Sequence, residues 1–147
     1  MYPYFYALFQ PRRSIEESWQ EGLISPTLLE LWNLFEERSL LSTDEIRKHM
    51  GVTKTTKTIV DNAIIELQRN YYITVSGSKR KLNKLGQPYG WAANVYDKVD
   101  NWVPTEWMMN LEDIKPNTAR QKIIETGISI SKDVSENDLM KIFSMQK

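Results

Sequence analysis

The sequence predicts a mainly α-helical chain with one small β-hairpin, and three observations carry that prediction. Apolar residues recur at helical spacing, as in Leu28, Leu31, Trp32 and Phe35. Helix-start signals recur too: Ser14 stands three residues before Glu17, Ser25 precedes Pro26, and Ser42 stands three before Glu45. One stretch breaks the pattern, because Tyr71-Tyr72-Ile73-Thr74-Val75 is aromatic and β-branched.

Composition narrows the classes. At 147 residues, 41% hydrophobic and 26% charged, the chain has the balance of a soluble globular protein and the length of one ordinary domain. The uncharged run over residues 1–11 is too short for a bilayer span and is broken by Pro3. It also lacks the leader of a secretory signal, so no membrane association and a cytoplasmic location are expected. Without cysteine there is no disulfide framework, thiolate zinc site or cysteine nucleophile. A single histidine, His49, excludes a multi-histidine metal cage. No Walker loop, dinucleotide fingerprint or zinc spacing is present, so neither cofactor nor metal is expected.

Read in order, the aromatic opening of residues 2–9 suits packing across the domain or against a second subunit, and is a candidate homodimer element. Ser14 and Glu17 form a capping box for a short helix ending near Gly22. Ser25 caps the next helix, with Pro26 at its first position, where a missing amide donor costs nothing. A third helix spans residues 43–50, and Gly51 stands where a left-handed cap is wanted. A tight turn at Val52-Thr53 leads to a longer helix over residues 54–69. Its buried stripe is Val60, Ala63, Ile64 and Leu67, with Ile59 at the margin. Short helix, glycine turn and second helix make a helix-turn-helix. A strand over residues 71–75, a basic connection over 76–90 and a returning strand over 91–96 add a hairpin. The outline is therefore a winged helix-turn-helix with extra N- and C-terminal helices. A short helix is expected near Thr105 and two more over residues 118–125 and 136–145, the last capped by Ser135 with Asp138. The expected division is a winged-helix domain with an aromatic N-terminal extension over residues 1–109 and a C-terminal helical extension over 110–147.

Net charge is zero, but its distribution is uneven. Residues 1–50 hold five basic against eight acidic side chains, whereas residues 52–84 hold seven basic against Asp61 and Glu66 alone. Electrostatic function is expected in that middle third. Two groups stand out. Thr53, Lys54, Thr55, Thr56 and Lys57 open the second helix of the helix-turn-helix, where hydroxyls, amides and ammonium groups suit a DNA groove and its phosphates. Lys79, Arg80, Lys81 and Lys84 mark the hairpin tip, in a segment without a carboxylate between Ser76 and Tyr96. The plainer readings are a solvated helix start and a hairpin kept soluble by lysines. Base-reading groups are few beyond Asn62, Gln68 and Arg80, so backbone contacts dominate the expectation.

Trp91, Trp102 and Trp107, with Tyr89 and Tyr96, suit either a stacking surface for bases or, more commonly, core and subunit packing. His49, near a helix C-terminus, reads as structural. Glu16-Glu17 and Glu36-Glu37 diverge on their helices and read as solvated faces.

Several of these segments resemble a known family. Residues 42–51, the run Ala63-Ile64-Ile65-Glu66-Leu67, the strand 72–75, and Asn94-Val95-Tyr96-Asp97 followed by Val103-Pro104 are similar to the winged-helix domain of the AlkZ-like DNA glycosylases, and in layout to shorter AlkZ-related proteins. The resemblance covers residues 25–109. It implies a winged-helix module of a DNA-repair lineage. The Gln-x-Gln or Gln-x-Asp catalytic motif of the full-length enzymes is not reproduced by Gln10, Gln20 or Gln121-Lys122-Ile123, so no catalytic residue carries over. The expected function is non-catalytic binding of double-stranded DNA. Two alternatives stay open: a protein-recognition module using the aromatic surface, and a minimal glycosylase-like enzyme with Gln87 or Asn94 placing water.

Overall fold

Capping chemistry fixes the helix starts. In a computed structural model, described for residues 1–11, 13–109, 111–131 and 133–143, Ser14, Ser42 and Ser135 each form a reciprocal capping box with the residue three positions on. Ser25 caps the helix that begins at Pro26. The elements run α1 (Tyr2–Phe9), α2 (Ile15–Gln20), α3 (Pro26–Glu37), β1 (Leu41–Ser42), α4 (Thr43–His49), α5 (Lys57–Arg69), β2 (Ile73–Leu82) and β3 (Pro88–Lys98). They continue through α6 (Val99–Trp102), α7 (Thr105–Met108), a 3₁₀ turn (Leu111–Asp113), α8 (Pro116–Ile130) and α9 (Glu136–Ile142). The described fold is mainly helical, with one antiparallel sheet of order β1-β3-β2. No described helix is long and apolar enough to cross a membrane.

The chain divides into two compact units, Pro11–Val103 and Met1–Gln10 with Pro104–Lys147. That boundary differs from a cut at 109/110, because the N-terminal segment folds with the C-terminal helices. The larger unit has a core built from every element between α2 and β3: Ile15, Leu28, Leu31, Phe35, Leu41, Ile46, Val60, Ala63, Ile64, Leu67, Ile73 and Tyr96. The expected stripe of α5 is buried as anticipated, while Ile59 is exposed. Burying a side chain such as Phe35 or Leu31 contributes about 1.5–3 kcal/mol, so this face holds α3 on α5.

Three helix ends close in the same way. Gly22 and Gly51 take left-handed φ of 70° and 56°, and Leu23 and Val52 donate back to Ser18 and Arg47. At the end of α5 the left-handed position falls to Tyr71, φ 59°, with Tyr72 N–H donating to Leu67. This corrects the expected strand start at 71: Tyr71 and Tyr72 form the helix stop, and β2 begins at Ile73. The hairpin is longer than its turn-rich composition suggests. Its strands pair out to Leu82 and Pro88, leaving Asn83 to organise the turn by accepting from Leu85 and Gln87 N–H. Polar, basic side chains disguise these strands because both faces of the outer hairpin are solvated.

In the smaller unit, the aromatic opening of the chain folds as helix α1. Pro3 lies in its first turn, where it is tolerated, and Phe5, Leu8 and Phe9 recur at helical spacing. They pack on Ile123 and Ile124 of α8 and Leu139 of α9, with Phe5 against Phe143 at 5.2 Å. Helix α8 is longer than residues 118–125; the expected extension of the last helix over 144–145 lies outside the described residues. Gly127 of α8 lets α9 approach: a Cβ there would stand 2.7 Å from a methyl of Leu139. Gly127→Ala is expected to destabilise this unit by about 1–2 kcal/mol in urea unfolding through overpacking. In a Leu139→Ala background the same change is expected to stabilise by about 0.5–1 kcal/mol, because only helix propensity remains.

Candidate nucleic-acid interface

The two basic groups lie on the larger unit, and the structure treats their members differently. The start of α5 is organised by its own threonines. Thr53 N–H donates to Thr56 Oγ1 at 2.9 Å and Thr56 N–H to Thr53 Oγ1 at 3.3 Å. The Thr53 hydroxyl also lies 2.9 Å from that of Thr55 and 3.1 Å from that of Thr56. This reciprocal bonding makes residues 54–56 a turn, so regular helix begins at Lys57 rather than at 54. All five residues, Thr53, Lys54, Thr55, Thr56 and Lys57, are exposed. Two hydroxyl–hydroxyl contacts join the three threonines and leave part of their hydrogen-bonding capacity facing solvent, whereas Lys54 and Lys57 pair with no carboxylate among the described residues.

On the hairpin, two of the four cations are committed. Lys79 Nζ binds Glu45 Oε1 at 2.9 Å and Lys81 Nζ binds Asp44 Oδ2 at 3.1 Å, both on the first turn of α4. Arg80 and Lys84 are exposed and have no such partner among the described residues. These exposed pairs contribute little each, about 0.2–1 kcal/mol, but they join α4 to β2 and cover its acidic turn. Asp44 and Glu45 were the residues that sequence reasoning missed here; 34 positions separate Glu45 from Lys79, and no local spacing signals such a pair.

The two helices of the turn are clamped as well. One Arg47 terminal nitrogen on α4 donates to both oxygens of Asp61 on α5, at 2.9 and 3.2 Å. Thr43 Oγ1 donates to the Asn94 backbone oxygen, and Lys98 at the end of β3 binds Glu36 of α3.

The aromatic group disperses. Tyr96 is a core residue, and Trp107 in the smaller unit lies 5.9 Å from Tyr2. Trp91 is 98% exposed. The Tyr96-Asp97 pair is structural: Asp97 Oδ1 accepts from Lys98 N–H and the Asn101 side chain, turning the chain into α6. Gln87 is held in the hairpin turn by Asn83. His49 is exposed and lines a groove of about 370 Å³ with Trp19, Glu30, Glu37 and Met50. Its acidic rim does not suit phosphate. Among the described residues no group of three His, Asp or Glu could hold a metal ion.

A family model described as AlkZ related matches residues 1–144, and the chain belongs to that family. This membership suggests a DNA-repair-related lineage. No curated protein and no solved structure matches the chain.

Glu45 ties the site together electrostatically. Its carboxyl is lowered from 4.5 to about 2, first by the Ser42 hydroxyl, then by the Ser42 N–H and Lys79. A depressed carboxylate contributes stability that is complete above its unfolded value and is lost as pH falls through its folded value. The α4–hairpin tie is therefore expected to weaken between pH 4.5 and about 2 and to be indifferent to pH near neutrality. A side-chain carbon NMR titration should place Glu45 near 2 and move it toward 4.5 in Ser42→Ala. An ordinary midpoint in the parent chain would contradict this.

Proposed function

We propose that Pro11–Val103 is a winged helix-turn-helix module that binds double-stranded DNA without catalysing a reaction. The element order is the observation that carries this reading: α3, β1, α4, the Gly51 turn, α5, then the β2–β3 hairpin, with β1 closing the sheet on β3. In a module of that order, α5 is the helix whose start enters a groove and the hairpin is the wing. Membership in a family of DNA-repair-related lineage supports the same partner.

Lys54, Lys57, Arg80 and Lys84 supply the phosphate contacts. An exposed cation without an internal partner replaces a counterion at a phosphate without first breaking a bridge. Lys79 and Lys81 instead hold the hairpin beside α4, and Thr53, Thr55 and Thr56 shape the turn that presents Lys54 and Lys57. With few groups to read base edges beyond Asn62, Gln68 and Arg80, recognition rests on backbone and shape rather than sequence.

Affinity for a short duplex titrated against salt tests this. Four phosphate contacts predict a slope of log K against log salt of about −3 to −4. Arg80→Ala combined with Lys84→Ala should reduce its magnitude by about 2, and Lys79→Ala by less than about 0.5. No binding at low ionic strength, or a slope indifferent to the double variant, would overturn the proposal.

A further inference from the structure

We infer that Trp91 is a stacking wedge through which the hairpin selects duplexes whose base stack is already interrupted, at a nick, a gap or an unpaired base. This inference rests on the duplex-binding reading above and names the class of duplex preferred.

The ring is placed by an irregularity in the hairpin. Lys79 pairs with Ala93, but Lys81 pairs with Tyr89, so Gly90, Trp91 and Ala92 stand opposite Arg80 alone. Gly90 supplies the left-handed backbone, φ 70°, that such a bulge needs. Bulges re-aim side chains, and here the result is an indole that is 98% exposed and meets no ring among the described residues. An aromatic ring of this size ordinarily stabilises a fold by burying a large area, and at 98% exposure Trp91 contributes almost none of that. The same tip exposes Tyr89 and Leu82 and carries Arg80 and Lys84, and residues 77–95 contain no carboxylate.

An exposed ring flanked by unpaired cations matches two chemistries of nucleic acid. Bases stack on the ring while the cations hold neighbouring phosphates, and apolar side chains wedge into base steps of a bent duplex. Magnitudes decide which duplex gains. Stacking one base on an aromatic ring is worth about five- to 150-fold in affinity, and opening an intact step costs a comparable factor. On continuous duplex the two cancel. Where the stack is already open, the gain is kept.

Fluorescence anisotropy on the full chain tests this, using labelled duplexes identical except for a central nick or one unpaired base. The parent chain should prefer the interrupted duplexes by about tenfold. Trp91→Ala should abolish that preference, leave affinity for intact duplex within about twofold and leave the salt slope unchanged; Trp91→Phe should keep part of the preference. Because the ring is exposed, thermal unfolding of both variants should match the parent. Equal affinity for intact and interrupted duplexes, or a preference that survives Trp91→Ala, overturns this inference alone. Absence of any duplex binding overturns the duplex reading and this inference with it. Trp91-dependent binding to anionic phospholipid vesicles, or Trp91-dependent self-association in sedimentation, without the interrupted-duplex preference assigns the ring to a lipid surface or a second copy and also overturns it.

Discussion

Ser42 sits where a strand becomes a helix, buried to 3% exposure, and it joins three parts of the larger unit. Its backbone pairs with Val95 of β3. Its N–H donates to Glu45 Oε2 at 2.8 Å, its hydroxyl donates to the same oxygen at 2.5 Å, and Glu45 N–H donates back to that hydroxyl at 3.3 Å. The other oxygen of Glu45 takes Lys79 of β2. One capping box therefore links the sheet, the first helix of the turn and the outer hairpin. The contributions are unequal. Hydrogen bonds to a charged group are worth about 1.5–3 kcal/mol, against 0.2–1 for an exposed ion pair, so the serine–carboxylate box dominates and the lysine follows it.

From that joint the placement of the remaining charges follows. Helix α4 is seven residues, about 10 Å long, with Asp44 and Glu45 at its start and the Gly51 turn beyond its end. Its acidic first turn suits the positive end of its dipole and draws Lys79 and Lys81. Arg47 then fixes α5 against α4 through Asp61. Removing Asp61 would leave a half-buried guanidinium whose Nε already has no partner, a larger loss than removing an exposed pair. Lysines identical in sequence terms thus divide into those that brace the hairpin and those that pair with no carboxylate among the described residues.

What the sequence revealed was local. Capping boxes are read three residues apart, buried stripes within one helix, and left-handed glycines at helix ends; Ser42 with Glu45, the α5 stripe and Gly51 were all legible on those grounds. Long-range pairing was not. The hairpin strands carry lysines and glycines because both of their faces meet water, so they read as a loop. Tyr71 in a left-handed conformation looked like a strand residue because its side chain favours strands while its backbone closes a helix. The engagement of Lys79 and Lys81 depends on a helix some 34 residues earlier in the chain. The bulge that turns Trp91 outward depends on a register that Gly90 alone hints at.

On the proposed reading, the start of α5 and the hairpin tip meet one duplex, and amide NMR of the labelled chain titrated with a short duplex checks this. Signals of residues 53–57 and of Arg80 and Lys84 should move together, with one midpoint, while those around the acidic groove at His49 stay still. Movement of only one of the two groups, or perturbation centred on the groove, would contradict it.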